Sequence, residues 1–106
     1  MTTDILVNAV KQWGRDKGIN NPTMQFAKIN EEIGELAHEL VRGYCGGGDS
    51  VPSQETVDAI GDILVTVIIF SDIIGVDPIA ALQLSYDTIK GRVGHTVNGS
   101  FIKKDE

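Results

Sequence analysis

The stretch Glu31-Glu32-Ile33-Gly34-Glu35-Leu36 decides how this chain is read. It lies inside a longer run, residues 22–42, whose apolar spacing predicts a single helix. On that helix Glu32 and Glu35 share a face at three residues apart, and Glu31 and Glu35 at four. Like charges so placed repel, by roughly a few tenths of a kcal/mol per pair in an isolated helix. Phe26, Ile29, Ile33, Leu36, Ala37 and Leu40 form the apolar stripe expected to bury the helix. Three carboxylates then stand beside that stripe, where packing offers them nothing. They call for a cation.

The rest of the chain reads as further helices. Thr2 or Thr3 can cap a first helix over residues 3–16, and Gly18 ends it. Asn21 followed by Pro22 is a start signal for the acidic helix. Residues 45–54, CGGGDSVPSQ, are a break that neither helix nor strand survives, and are expected to form a loop. A third helix over 54–74 is apolar on almost every side, which marks a central helix covered by its own domain and by a second subunit. Asp77-Pro78 starts a fourth helix, to about residue 91. The tail, 95–106, has a turn at Asn98-Gly99 and is read either as a small hairpin or as a segment lying along the body. The fold class is therefore all-α, a four-helix bundle in one domain over residues 1–106.

Composition narrows the function. A net charge of −6 argues against a general nucleic-acid binder but leaves room for a nucleotide carried in with its own metal. Cys45 is the only cysteine, so no internal disulfide forms, and no Cys/His cluster offers a zinc site. Residues 1–10 show no signal peptide, and the third helix is interrupted by Asp62 before it reaches membrane-spanning length. The expected compartment is the cytoplasm.

The third helix carries Asp58 and Asp62, four apart and on one face. Facing Glu32 and Glu35, they would bring four carboxylates to one place, an oxygen-only set suited to Mg²⁺. A di-iron site would need a second Glu-x-x-His copy, which the chain lacks. The bland alternative is a solvated acidic face. Against it stands Asp62, whose apolar neighbours would make an unpartnered carboxylate costly.

Glu-Glu-Ile-Gly-Glu-Leu, followed after the glycine loop by Asp-Ala-Ile-Gly-Asp-Ile-Leu-Val, resembles the paired acidic motifs of the MazG-like all-α nucleoside triphosphate pyrophosphohydrolases. Glu32 and Glu35 match the first pair and Asp62 the last acid. Gln12-Trp13, Gln25, Lys28 and the segment from Gly91 onward extend the likeness over nearly the whole chain. The chain resembles the short single-domain members often found in phages and mobile elements. One position departs: the family's third acid falls on Ala59, with Asp58 one residue earlier.

The resemblance implies hydrolysis of (deoxy)nucleoside triphosphates to the monophosphate and pyrophosphate, with Mg²⁺ as cofactor and Mn²⁺ as a substitute. It implies Glu32, Glu35 and Asp62 as metal ligands, with Asp58 as the candidate in place of the acid missing at Ala59; Glu31, Glu32 and Glu35 are the candidate catalytic acids. Glu31 orients water, binds metal, or is a plain surface acid. Lys28, Lys90 and Arg92 are candidates for the leaving pyrophosphate, against a reading as solvated surface cations. Asp87 joins the metal site or pairs with Lys90. Trp13 either stacks on the base or packs in the core, and Asn8, Gln12, Gln25 and Asn30 are candidates for the base edge. The implied assembly is a homodimer or homotetramer, with no membrane and no nucleic-acid polymer as partner. Ala59 keeps an alternative open, a catalytically degenerate module that dimerises and binds nucleotide or protein.

Overall fold

Each helix starts at a side chain that accepts a hydrogen bond from an otherwise orphaned backbone N–H. In the computed structural model, which describes residues 1–45 and 52–104, these caps are Thr2, Asn21, Ser53 and Asp77. They open α1 (Thr3–Asp16), α2 (Pro22–Leu40), α3 (Gln54–Ile73) and α4 (Pro78–Ile89). Pro22 and Pro78 sit at the first helical position, where the missing N–H costs nothing. α2 does not run on as an α-helix to Arg42. It widens at Val41–Cys45 into a π-helical turn that contains Gly43, a residue with low helix propensity. The expected glycine loop falls largely on residues 46–51, outside the described residues.

The chain divides into two compact units, Met1–Val76 and Asp77–Glu106. In the first, α3 packs against both α2 and α1, as its apolar composition predicts. Gly14, buried on α1, makes one of these contacts possible: a Cβ there would stand 3.2 Å from the side chain of Ile69, itself buried on α3. Beyond it, Arg15 grips Asp72 with two hydrogen bonds of 2.8 and 2.6 Å. The guanidinium holds the Asp72 carboxyl below the usual carboxylate range, chiefly through that hydrogen bonding.

Two expectations need correction. The stripe on α2 is covered only in part: Ile29 and Leu36 are partly buried, whereas Phe26, Ile33, Ala37 and Leu40 are exposed. The covered line is instead Gln25, Ile29, Glu32, Leu36 and Glu39, spaced alternately four and three apart. The acids thus lie on the helix–helix seam itself. Asp62, for its part, is exposed rather than trapped among its apolar neighbours, because it sits at a groove rather than in the core.

The second unit holds α4 and an antiparallel hairpin, β1 (Gly94–Val97) with β2 (Ser100–Lys103). Asn98 and Gly99 both have positive φ, 50° and 78°, as a two-residue turn matching strand twist requires. Of the two readings of the tail, the hairpin is the one formed. Among the described residues no single helix is long and apolar enough to cross a membrane.

Candidate active site between the second and third helices

Because the α2 seam carries acids, the groove it makes with α3 is lined by them. α2 contributes Glu31, Glu32, Glu35 and Glu39; α3 contributes Glu55, Asp58, Ala59 and Asp62. Together they bound an acidic compartment of about 320 Å³. All four expected metal ligands, Glu32, Glu35, Asp58 and Asp62, therefore line one compartment, as does Glu31. Glu32 and Glu39 are the most enclosed of the acids that form ion pairs here, each with 13 % of its side chain exposed.

Two cations stand at the compartment. Lys28 Nζ lies 3.5 Å from Glu31 and 3.6 Å from Glu32, and these carboxylates, Glu31 foremost, raise the ammonium's pKa. Arg42, on the π-helical turn, reaches Glu39 at 2.9 Å and Glu55 at 3.9 Å, so it bridges α2 and α3. Gln54 Nε2 donates to Asp58 at 2.9 Å and fixes that carboxylate one turn from Asp62. Glu39, Glu55 and Arg42 were not among the residues expected from sequence. The signal was present, since Glu39 continues the Glu35 face by four and Glu55 precedes Asp58 by three.

The donor set is carboxylate oxygen from two facing helices, which fits a hard divalent cation and no softer one. In this structure no three such side chains among the described residues stand close enough together to enclose an ion. Mg²⁺ commonly binds through one or two carboxylates and completes its shell with water and phosphate.

Next to the acids lies a second compartment of about 420 Å³, mostly apolar in its walls. Trp13 and Ile19 from the first helix and its following turn, Met24 and Gln25 from α2, and Val65, Thr66 and Ile69 from α3 surround it. Lys28, Glu32 and Asp62 also line it, so Glu32 and Asp62 border both compartments. Trp13 is half exposed at 51 % and belongs to this wall, not to the core. Of the four amides considered for a base edge, Gln25 is the one on this wall; Gln12 bonds Asp16 and Asn30 bonds the Phe26 carbonyl. Asp87, Lys90 and Arg92 belong to the second unit, where Lys90 pairs with Asp87 at 3.0 Å.

Comparison with solved structures places the fold. The Bacillus-conserved MazG protein, a nucleotide pyrophosphohydrolase, matches with a TM-score of 0.72 at 21 % identity, over 88 % of this chain and 94 % of that one. The cyanophage S-2L MazG-like pyrophosphohydrolase, bound to dGDP and three catalytic Mn²⁺ ions per active site, matches with a TM-score of 0.66 at 20 % identity, over 99 % of both. No family profile and no curated protein matches the chain. The chain thus has the all-α fold of MazG-type proteins, as its paired acidic motifs imply.

Proposed function

We propose that the chain is a divalent-metal-dependent nucleotide pyrophosphohydrolase that cleaves (deoxy)nucleoside triphosphates to the monophosphate and pyrophosphate. One observation carries the reading: an acidic compartment and an apolar one share Glu32 and Asp62 as a common wall. A nucleotide has the same division, a flat apolar base joined to a chain of anionic phosphates. Placed along the groove, the base takes the Trp13 end and the phosphates the acidic end. The two relatives in fold, one of them bound to dGDP and Mn²⁺, support this assignment.

Glu32, Glu35, Asp58 and Asp62 are the residues that would hold Mg²⁺, or Mn²⁺ in its place. When bound, such an ion neutralises phosphate charge, polarises phosphorus and acidifies a coordinated water. The chain's own groups do the rest. Gln54 holds Asp58 in orientation. Glu31 lines the acidic compartment and is assigned to take a proton from an attacking water. Lys28, now shared between Glu31 and Glu32, is positioned to meet phosphate oxygens at the join of the compartments. The activity is placed in the cytoplasm, where nucleoside triphosphates and Mg²⁺ are both available, and it serves control or cleansing of the nucleotide pool.

Ala59 favours a second reading. It is buried in the wall of the acidic compartment, where the resemblance implies an acid. A module that binds nucleotide without turning it over would tolerate that loss. Turnover of a panel of triphosphates in Mg²⁺ and in EDTA separates the readings. Monophosphate formation that requires the ion supports the enzyme; binding with no turnover of any triphosphate supports the module.

A further inference from the structure

Two buried polar side chains, Gln25 at 7 % exposure and Thr66 at 6 %, are among the residues that line the apolar compartment. Gln25 Nε2 donates to the backbone carbonyl oxygen of Thr66 at 3.2 Å. A carbonyl can only accept, so this bond fixes the orientation of the amide and turns Oε1 to the other side. Among the described residues no sealed side-chain oxygen lacks a hydrogen bond, and Oε1 makes none to them. Gln25 lines the compartment, so this uncommitted acceptor belongs to a side chain of its wall. The Thr66 hydroxyl donates its single hydrogen to the Ile63 carbonyl at 2.9 Å, which leaves only its lone pairs.

Two buried residues with hydrogen-bond acceptors thus line a mostly apolar compartment, whose charged side chains, Lys28, Glu32 and Asp62, border the acidic one. A ligand without donors would cover those acceptors and leave them unbonded, which is costly. A ring N–H supplies one hydrogen. An amino group on a flat ring supplies two, one for each acceptor, while Trp13, Met24, Val65 and Ile69 receive the ring itself.

We infer that the compartment selects a nucleobase bearing an exocyclic amino group, and that Gln25 Oε1 is the atom that reads it. This rests on the pyrophosphohydrolase reading above and names the substrate class within it. The test compares each amino-bearing triphosphate with its deaminated partner: ATP with purine riboside triphosphate, GTP with ITP, CTP with its 4-deamino analogue. For the best of the three, loss of the amine is expected to raise KM at least about tenfold in the wild-type protein. In Gln25→Leu that penalty is expected to shrink to less than about threefold, because the acceptor is gone. Thr66→Val, a smaller change, is expected to remove part of the penalty and carries the test if Gln25→Leu does not fold. Equal KM values within every pair in the wild type would overturn the inference, as would an undiminished penalty in both variants. If no triphosphate is turned over, the pyrophosphohydrolase reading fails by itself. The same pairs as monophosphates, titrated calorimetrically, then show whether the amine still raises affinity; equal affinities would overturn the inference on that route too.

Discussion

Glu32 is the residue on which the two halves of the groove turn. Its carboxylate borders both compartments, pairs with Lys28 and belongs to the α2 seam. Glu32→Gln keeps the shape and removes the charge. Turnover is expected to fall by about 100-fold or more, as for loss of a group that stabilises developing charge. Unfolding free energy should change by less than about 0.5 kcal/mol, because the Lys28 pair is partly solvated. Parallel kinetics and urea denaturation check both halves of this expectation. The Arg15–Asp72 pair does a different job, joining α1 to α3 away from the acids. Its pH dependence has a definite sign. Asp72 titrates lower in the folded protein than in the unfolded chain, so its contribution is complete above the ordinary carboxylate pKa. It is lost as pH falls through the still lower folded value. The Tm difference between wild type and Arg15→Met is therefore expected to hold at neutral pH and to close on acidification below the ordinary carboxylate range.

Among the elements, the helix starts were the most legible part of the sequence. Asn21 before Pro22 and Asp77 before Pro78 are local signals, and the structure uses both as caps. Asn21→Ala should cost about 1 kcal/mol of stability, read as a lower urea midpoint with an unchanged slope. The pairing of α2 with α3 through Glu32, Glu35, Asp58 and Asp62 was legible too, because acids at helical spacing on two helices can share only one groove. The buried face of α2 was not. Phe26, Ile33 and Leu40 outweigh Gln25, Glu32 and Glu39 on any hydropathy count, yet the polar three join Ile29 and Leu36 in the seam. A count of apolar residues finds the face that water disfavours. It does not say whether this chain or another covers it. The hairpin was left undecided for a related reason: Asn98-Gly99 announces the turn, but four-residue strands exposed along their length carry no burial pattern. Arg42 escaped notice because its partners lie on two helices, and only their packing brings Glu39 and Glu55 to it.

For the whole molecule, the outstanding feature is apolar surface that the chain leaves open. Val57, Ile60, Leu64, Val67 and Ile74 follow one face of α3 and are 38–59 % exposed, in addition to the α2 stripe. Surface of this kind marks an interaction site, and closed symmetric association is the usual solution. The homodimer or homotetramer implied by the resemblance is proposed to bury it. Light scattering on a sizing column should give two or four times the 11.4 kDa of one chain, and Leu64→Asp should shift it toward the single chain. A monomeric wild type at micromolar concentration would reject this proposal without touching the site. The central claim is that the acids of the α2–α3 groove break the bond between the first and second phosphates. It is tested most directly by counting products from the best triphosphate in Mg²⁺, with wild-type protein and with Glu35→Ala. The account predicts monophosphate and pyrophosphate in equal amounts from the wild type and none from the folded variant. A diphosphate with orthophosphate, or a variant as active as the wild type, would contradict it.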